Sequence, residues 1–201
     1  MLVNYLSFEI DPKDHRFLLL FWEGALLRRV YKHLFIKELV GLNGCKEKEA
    51  FLDQFYRLEV QIARREVVRL LSRKGYCSEE LKQKLLMKGF SEVVVDQTLL
   101  YCQEKKYLDD EAHAERLIAK EFQKGHGAQW IHFKLKQKKL GREDKGGLQV
   151  QIENQERVSL QQFLKKNQAK NKQVSQHALV QKLLRRGYSY AVIRECILEL
   201  N

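Results

Sequence analysis

Six basic residues fall into three pairs of identical spacing: Lys84 and Lys88, Lys134 and Lys138, Lys182 and Arg186. On a helix, residues four apart leave the same face, so each pair would present two cations side by side, as a surface that tracks phosphates requires. The bland alternative is that these stems lie along the edge of a core with their charged heads in water. Recurrence in three places favours the phosphate reading, and Lys139, Arg142 and Arg185 lie next to the pairs in the chain. The nine residues are the candidate contacts for a polyanion such as DNA, and Lys136, Lys165, Lys166, Lys170 and Lys172 thicken the basic surface toward the C-terminus.

Other constellations carry less chemistry. Asp109, Asp110, Glu111 and His113 could be imagined around a metal ion, but a run of acids at the start of a helix ordinarily caps it and offsets its dipole. Cys45, Cys77, Cys102 and Cys196 are widely separated, with no C-x-x-C and no histidine at ligand spacing, so reduced thiols are expected and neither a zinc site nor a disulfide framework is indicated. Gly41-Leu42-Asn43-Gly44-Cys45-Lys46 lacks the Gly-Lys-Ser/Thr ending of a phosphate loop. There is no G-x-S-x-G and no H-E-x-x-H, so the sequence points away from an enzyme and calls for no metal or cofactor. Trp130, Phe133, Tyr188 and Tyr190 could stack on bases, although aromatic residues at helical spacing more often build a core.

Charge sharpens the reading once it is located. The net charge is +11; residues 1–119 hold 20 Lys+Arg against 19 Asp+Glu, whereas residues 120–201 hold 17 against 7. An excess confined to one end suits a polyanionic partner better than a general aid to solubility. The longest apolar run, Phe17 to Trp22, is too short for a membrane span, and the charged Asp11–Arg16 stretch before it argues against a signal peptide. A cytoplasmic protein that does not engage membranes and acts as a monomer is expected.

The elements that must position these residues are mostly helices, and they repeat. Leu81-Lys82-Gln83-Lys84-Leu85-Leu86-Met87-Lys88-Gly89-Phe90-Ser91 returns 98 positions later as Leu179-Val180-Gln181-Lys182-Leu183-Leu184-Arg185-Arg186-Gly187-Tyr188-Ser189, and Ile131–Leu140 echoes it at an offset of 50 without the glycine. Such self-similarity is the mark of one supersecondary unit used several times, here three helices in about 45 residues. Ala50, Phe51, Phe55, Leu58, Ile62, Val67, Leu70 and Leu71 set a long first helix; Ser78 opens a second with the stripe Leu81, Leu85 and Leu86, which Gly89 closes; Ser91 opens a third with Val94, Val95, Leu99 and Leu100. A second unit runs from Asp109 through Leu117, Ile118 and Phe122, breaks at Gly125-His126-Gly127 and resumes through Ile131 and Leu135. Its third helix is in question because Gly146-Gly147 costs about 2 kcal/mol of helix propensity. Ahead of the repeats, alternation from Leu2 to Ile10, the turn residues Asp11–Asp14 and the apolar run to Glu23 predict a β-hairpin, with Ala25–His33 either a third strand or an early helix. The expected architecture is mainly α: tandem three-helix repeats in an elongated, curved array behind a short N-terminal β-hairpin. The segments are 1–46 for the hairpin and its continuation, then repeats at 47–108, 109–153 and 154–201.

Several short motifs also stand in a familiar order. Ser78-Glu79-Glu80-Leu81 with Lys84-Leu85 and Lys88-Gly89-Phe90, then Tyr107-Leu108-Asp109-Asp110-Glu111 with Ala114, then Lys124-Gly125-His126-Gly127 with Ile131 and Leu135, resemble the RecX family of regulatory proteins, from about Ala63 to Leu140 with a weaker echo at Leu179–Val192. The resemblance implies a cytoplasmic bacterial regulator of tandem three-helix repeats that binds the RecA recombinase filament on single-stranded DNA and inhibits its ATPase, strand exchange and filament growth, many members also binding DNA. It carries no catalytic residue. Lys106 stands where a glycine is usual, His113 where an aromatic is common, and Lys139-Leu140 where Gly-Ile is usual, which bears on the local turns. The rival from the residues alone is a free-standing DNA- or RNA-binding helical module with no recombinase partner.

Overall fold

The computed structural model describes residues 5–42, 45–141, 147–167 and 175–198. It is mostly helical, with one small antiparallel sheet at the N-terminal end. Strands β1 (Leu6–Ile10) and β2 (Phe17–Trp22) form the expected hairpin. Its turn is tied by the Asp11 carboxylate, which accepts from the Lys13 amide at 2.8 Å, and by the Asp11 amide, which donates to the Phe17 carbonyl at 3.0 Å. The open question after Glu23-Gly24 resolves both ways. Both turn residues have positive φ, 49° and 81°, which matches the twist of a two-residue hairpin; the chain returns as β3 (Ala25–Tyr31) and enters α1 (Lys32–Leu39) directly, followed by a short 3-10 turn, Val40–Leu42. The sheet order is β1-β2-β3, with an irregularity beside Leu20 and Phe21.

Two compact units follow from the folding of the chain, residues 1–108 and 109–201. In the first, α2 (Lys48–Leu71), α3 (Ser78–Leu86) and α4 (Glu92–Glu104) pack together, and their apolar faces share one core with the sheet. Leu20, Val30 and Trp22 from the strands meet Phe35, Phe51, Phe55, Ile62, Leu81, Leu85 and Val94. Of the predicted stripes, Ala50 and Leu100 are exposed, Leu58, Leu71 and Leu86 are half-buried, and the other positions are buried. The start of α3 is shifted by one residue from expectation: Cys77, not Ser78, takes the N-cap position, and its amide donates to Glu80 Oε2 at 3.2 Å.

The second unit holds α5 (Asp110–Gln123), α6 (Ala128–Gln137), α7 (Gly147–Lys166), α8 (Gln176–Arg185) and α9 (Tyr190–Leu198). The helix placed in question by Gly146-Gly147 and the expected start of the third repeat at 154 are one helix, α7, which runs across the expected 153/154 boundary. Gly147 is its first residue, where the interior cost of glycine does not apply, and Gly146 lies outside the described residues. Helix α7 packs on α5 and α6 and also on α9, which in turn packs on α8. The core at its C-terminal half gathers Leu160, Leu164, Leu183, Tyr188, Ile193, Cys196 and Ile197. Within this unit α7, α8 and α9 stand as α2, α3 and α4 do in the first.

Candidate functional site

The repeated sequence stretch is held in both units by the same kind of joint. On α2 the buried Glu59 accepts from the Ser91 amide at 2.6 Å, from the Ser91 hydroxyl at 3.1 Å and from Arg28 Nη2 at 2.8 Å. On α7 the buried Glu156 accepts from the Ser189 amide at 3.1 Å, the Ser189 hydroxyl at 3.2 Å and the Ala128 amide at 2.8 Å. A carboxylate on the first helix thus holds the start of the third and takes one further donor from the segment ahead. That segment is also fastened to the end of the second helix: the Tyr31 amide donates to the Lys88 carbonyl at 3.0 Å, and the Gly127 amide to the Arg186 carbonyl at 2.9 Å. Sequence reading placed Ser91 as a cap but did not find its acidic partner. Glu59 and Glu156 are 97 positions apart while the serines are 98 apart, so the signal exists in the sequence once the repeats are aligned with a one-residue shift.

The six paired basic residues are all half-buried, and what they touch differs. In the first unit, Lys84 Nζ lies 5.2 Å from the centre of the Tyr76 ring. Lys88 turns inward to an ion pair with Glu66, whose other close partner is Arg69 at 2.6 and 2.7 Å. Burial opposes ionisation of Glu66, but the hydrogen bonds from Arg69 and Lys88 outweigh it and hold the carboxyl below its ordinary value. In the second unit, Arg186 Nη1 donates to the carbonyls of Lys124 and Gly125 at 3.0 and 3.2 Å, and its guanidinium lies 4.8 Å from the centre of the Phe163 ring. Lys134 Nζ lies 5.1 Å from the Trp130 ring and 5.9 Å from Phe133, with the Gln137 side-chain oxygen at 3.4 Å. Lys138 ends α6, and Lys139 follows it, exposed, at a positive φ of 54°. Lys182 is on α8, and the exposed Arg185 donates to the Gln181 carbonyl at 3.3 Å. Arg142, Lys170 and Lys172 lie outside the described residues.

Around the N-terminus of α6 these contacts converge. The buried Glu121 on α5 receives Lys124 Nζ at 2.5 Å, His126 Nδ1 at 2.6 Å and the Trp130 indole N–H at 3.1 Å. Burial would raise its pKa; these three donors more than offset that and lower it. The His126 and Trp130 rings are 5.0 Å apart and those of Trp130 and Phe133 6.0 Å, a tilted row of three aromatic rings along one edge. Of the aromatic residues singled out in the sequence, Tyr188 is fully buried, Trp130 is half-buried, and Phe133 and Tyr190 are exposed. The acids at the start of α5 have a local role: Asp109 Oδ1 accepts from the Ala112 amide at 2.9 Å. Among the described residues no group of three or more His, Cys, Asp and Glu is placed to hold a metal ion, and no helix is long and apolar enough to cross a membrane.

Small three-helix units, each locked by a buried carboxylate and bearing half-buried cations on its second helix, define a helical-repeat protein. Residues 63–102 match the family model of the RecX first three-helix domain. It is 37% identical over 73 residues to a regulatory protein RecX of Vibrio campbellii and 41% identical over 73 residues to that of Pasteurella multocida; the match covers 36% of this chain and 47% and 44% of those relatives. The chain therefore spans about half the length of the curated relatives it matches. Among solved structures, a regulatory protein RecX shares the fold at a TM-score of 0.59 and 17% identity over 94% of this chain and 97% of that one. RecX from Lactobacillus salivarius shares it at 0.61 and 18% over 71% and 96%.

Proposed function

We propose that this chain regulates a RecA-type recombinase by binding its filament on single-stranded DNA, where it inhibits ATP hydrolysis, strand exchange and filament growth. The single observation that carries this reading is the RecX first three-helix domain at residues 63–102, embedded in a chain whose relatives are named regulatory proteins. The protein acts by occupancy, with no bond made or broken. Lys84, Lys134, Lys138, Lys139, Lys182 and Arg185, with Arg142, supply the cations that meet phosphates or an acidic filament surface. Lys88 and Arg186 act first inside the fold, through Glu66 and through the carbonyls that end α5.

Titration of the protein into a recombinase ATPase assay on single-stranded DNA tests the reading. Inhibition near stoichiometric ratios is expected. Full ATPase activity under those conditions, with the chain still binding naked DNA, would replace it with the second reading, a free-standing nucleic-acid binder. That second reading is favoured by one stretch: residues 122–142 hold six Lys+Arg and no Asp or Glu.

A further inference from the structure

Phe133 has no role in a core. It is 56% exposed on the outer side of α6, whose buried side is made by Ala128, Ile131 and Leu135. Its ring is nevertheless held in a defined place, as the last of the row that begins at His126 and passes through Trp130. Trp130 is fixed at its indole nitrogen by Glu121, and Glu121 is neutralised by Lys124 and hydrogen-bonded to His126. The row is thus a preorganised aromatic edge whose anchor leaves no net negative charge beside it. At one end Arg186 sits on the carbonyls preceding His126; at the other Lys134 lies over Trp130 and Phe133. Both cations have only neutral partners among their described contacts, so their charge remains available to an anion.

An exposed apolar ring could meet a protein or a nucleobase, and the charge decides between them. With no carboxylate in residues 122–142 and cations at both ends of the row, the surroundings suit a ligand that carries an anion on either side of a flat apolar group. An unpaired nucleotide has that form: a base to stack and phosphates flanking it. We propose that Phe133, backed by Trp130, is a stacking platform for an unpaired base of single-stranded nucleic acid, with Lys134 placed for the adjacent phosphate. The proposal names a site for the nucleic-acid part of the reading above and rests on that part alone.

The test omits the recombinase, so its failure is separate from failure of filament regulation. Binding of oligothymidylate, oligouridylate and an abasic strand of equal length is followed by quenching of Trp130 fluorescence, the buried Trp22 serving as background. Phe133→Ala and Phe133→Leu are expected to weaken base-bearing strands by about 5- to 150-fold, the range that base stacking on an aromatic ring supplies. Binding of the abasic strand and the helical circular dichroism should be unchanged. Phe133→Leu keeps apolar bulk without a π face, so it separates stacking from general hydrophobicity. Lys134→Gln should weaken all strands alike. Loss for both base-bearing strands assigns the site to single strands of either sugar and loss for oligothymidylate alone to DNA; either supports the proposal. Equal binding of abasic and base-bearing strands by the parent, or variants that bind as the parent does, overturns it.

Discussion

Glu66 sets two cations on one buried carboxylate, and its protonation therefore carries a stability consequence. Its folded-state pKa lies below the ordinary glutamate value, because hydrogen bonds from Arg69 and Lys88 outweigh burial. A depressed carboxylate contributes stability that is present above the unfolded-state pKa and is lost as pH falls through the folded one. Glu66→Gln should thus be less stable than the parent by roughly 1–3 kcal/mol near neutral pH, the range for hydrogen bonds to a charged group. The gap should narrow as pH is lowered from about 4.3 toward the folded value, which urea denaturation along a pH series would show. A gap that stays constant with pH would mean that Lys88 and Arg69 are not paired with this carboxylate in solution. The same pairing explains why the i, i+4 spacing of Lys84 and Lys88 was only half informative. Spacing puts two stems on one side of a helix, but whether a head reaches water depends on what the neighbouring helix offers, and α2 offers Glu66 to one of them.

At the scale of elements, the repeat was legible because packing demands the same types at the same positions each time: Leu81, Leu85 and Leu183 are fully buried, and Gly89 and Gly187 both end helices at positive φ, 81° and 85°. The carboxylate joint was not, since a glutamate in a helix reads as a solvated residue unless its partners are known. Its energetic weight is large. Glu59→Ala or Glu156→Ala leaves a half-buried serine amide and a second donor without their acceptor and should cost about 2–4 kcal/mol, measurable as a lowered denaturation midpoint in either unit. Values within about 0.5 kcal/mol of the parent, the range of ordinary surface substitutions, would show that the joint is not maintained. The departures from the family pattern at Lys106 and Lys139 also find an explanation. Both residues adopt the left-handed conformation a glycine would take, φ 57° and 54°, so the turn is kept and the lysine carries the strain. Lys106→Gly relieves about 1–2 kcal/mol of that strain and gives back about 0.4–1 kcal/mol through a freer unfolded chain. A net gain of up to about 1.5 kcal/mol is expected, and a loss would mean that the Lys106 side chain makes contacts that outweigh its backbone.

For the whole molecule, the deciding property is where charge lies: residues 120–201 carry 17 Lys+Arg against 7 Asp+Glu, while the preceding residues are nearly balanced. A polyanion should therefore be bound mainly through the second unit, and salt should report how many of its cations touch phosphate. Lys134, Lys136 and Lys182 are basic residues of that unit whose replacement by Gln leaves the described clamps of the fold in place, whereas Arg186→Gln would also release the carbonyls at the end of α5. The two kinds of variant should behave differently. For a single strand, the log–log dependence of affinity on salt has a slope of about −0.7 per phosphate contacted, so the triple Gln variant should bind more weakly to every sequence and show a slope flatter by about 2. Its denaturation midpoint should stay near that of the parent. Arg186→Gln should lower the midpoint, because a charged donor to two carbonyls is lost, and should flatten the slope by no more than about 0.7. If the triple variant instead loses stability while its salt slope matches the parent's, the three lysines serve as apolar stems over the core edge, and the excess charge of the second unit acts through other residues.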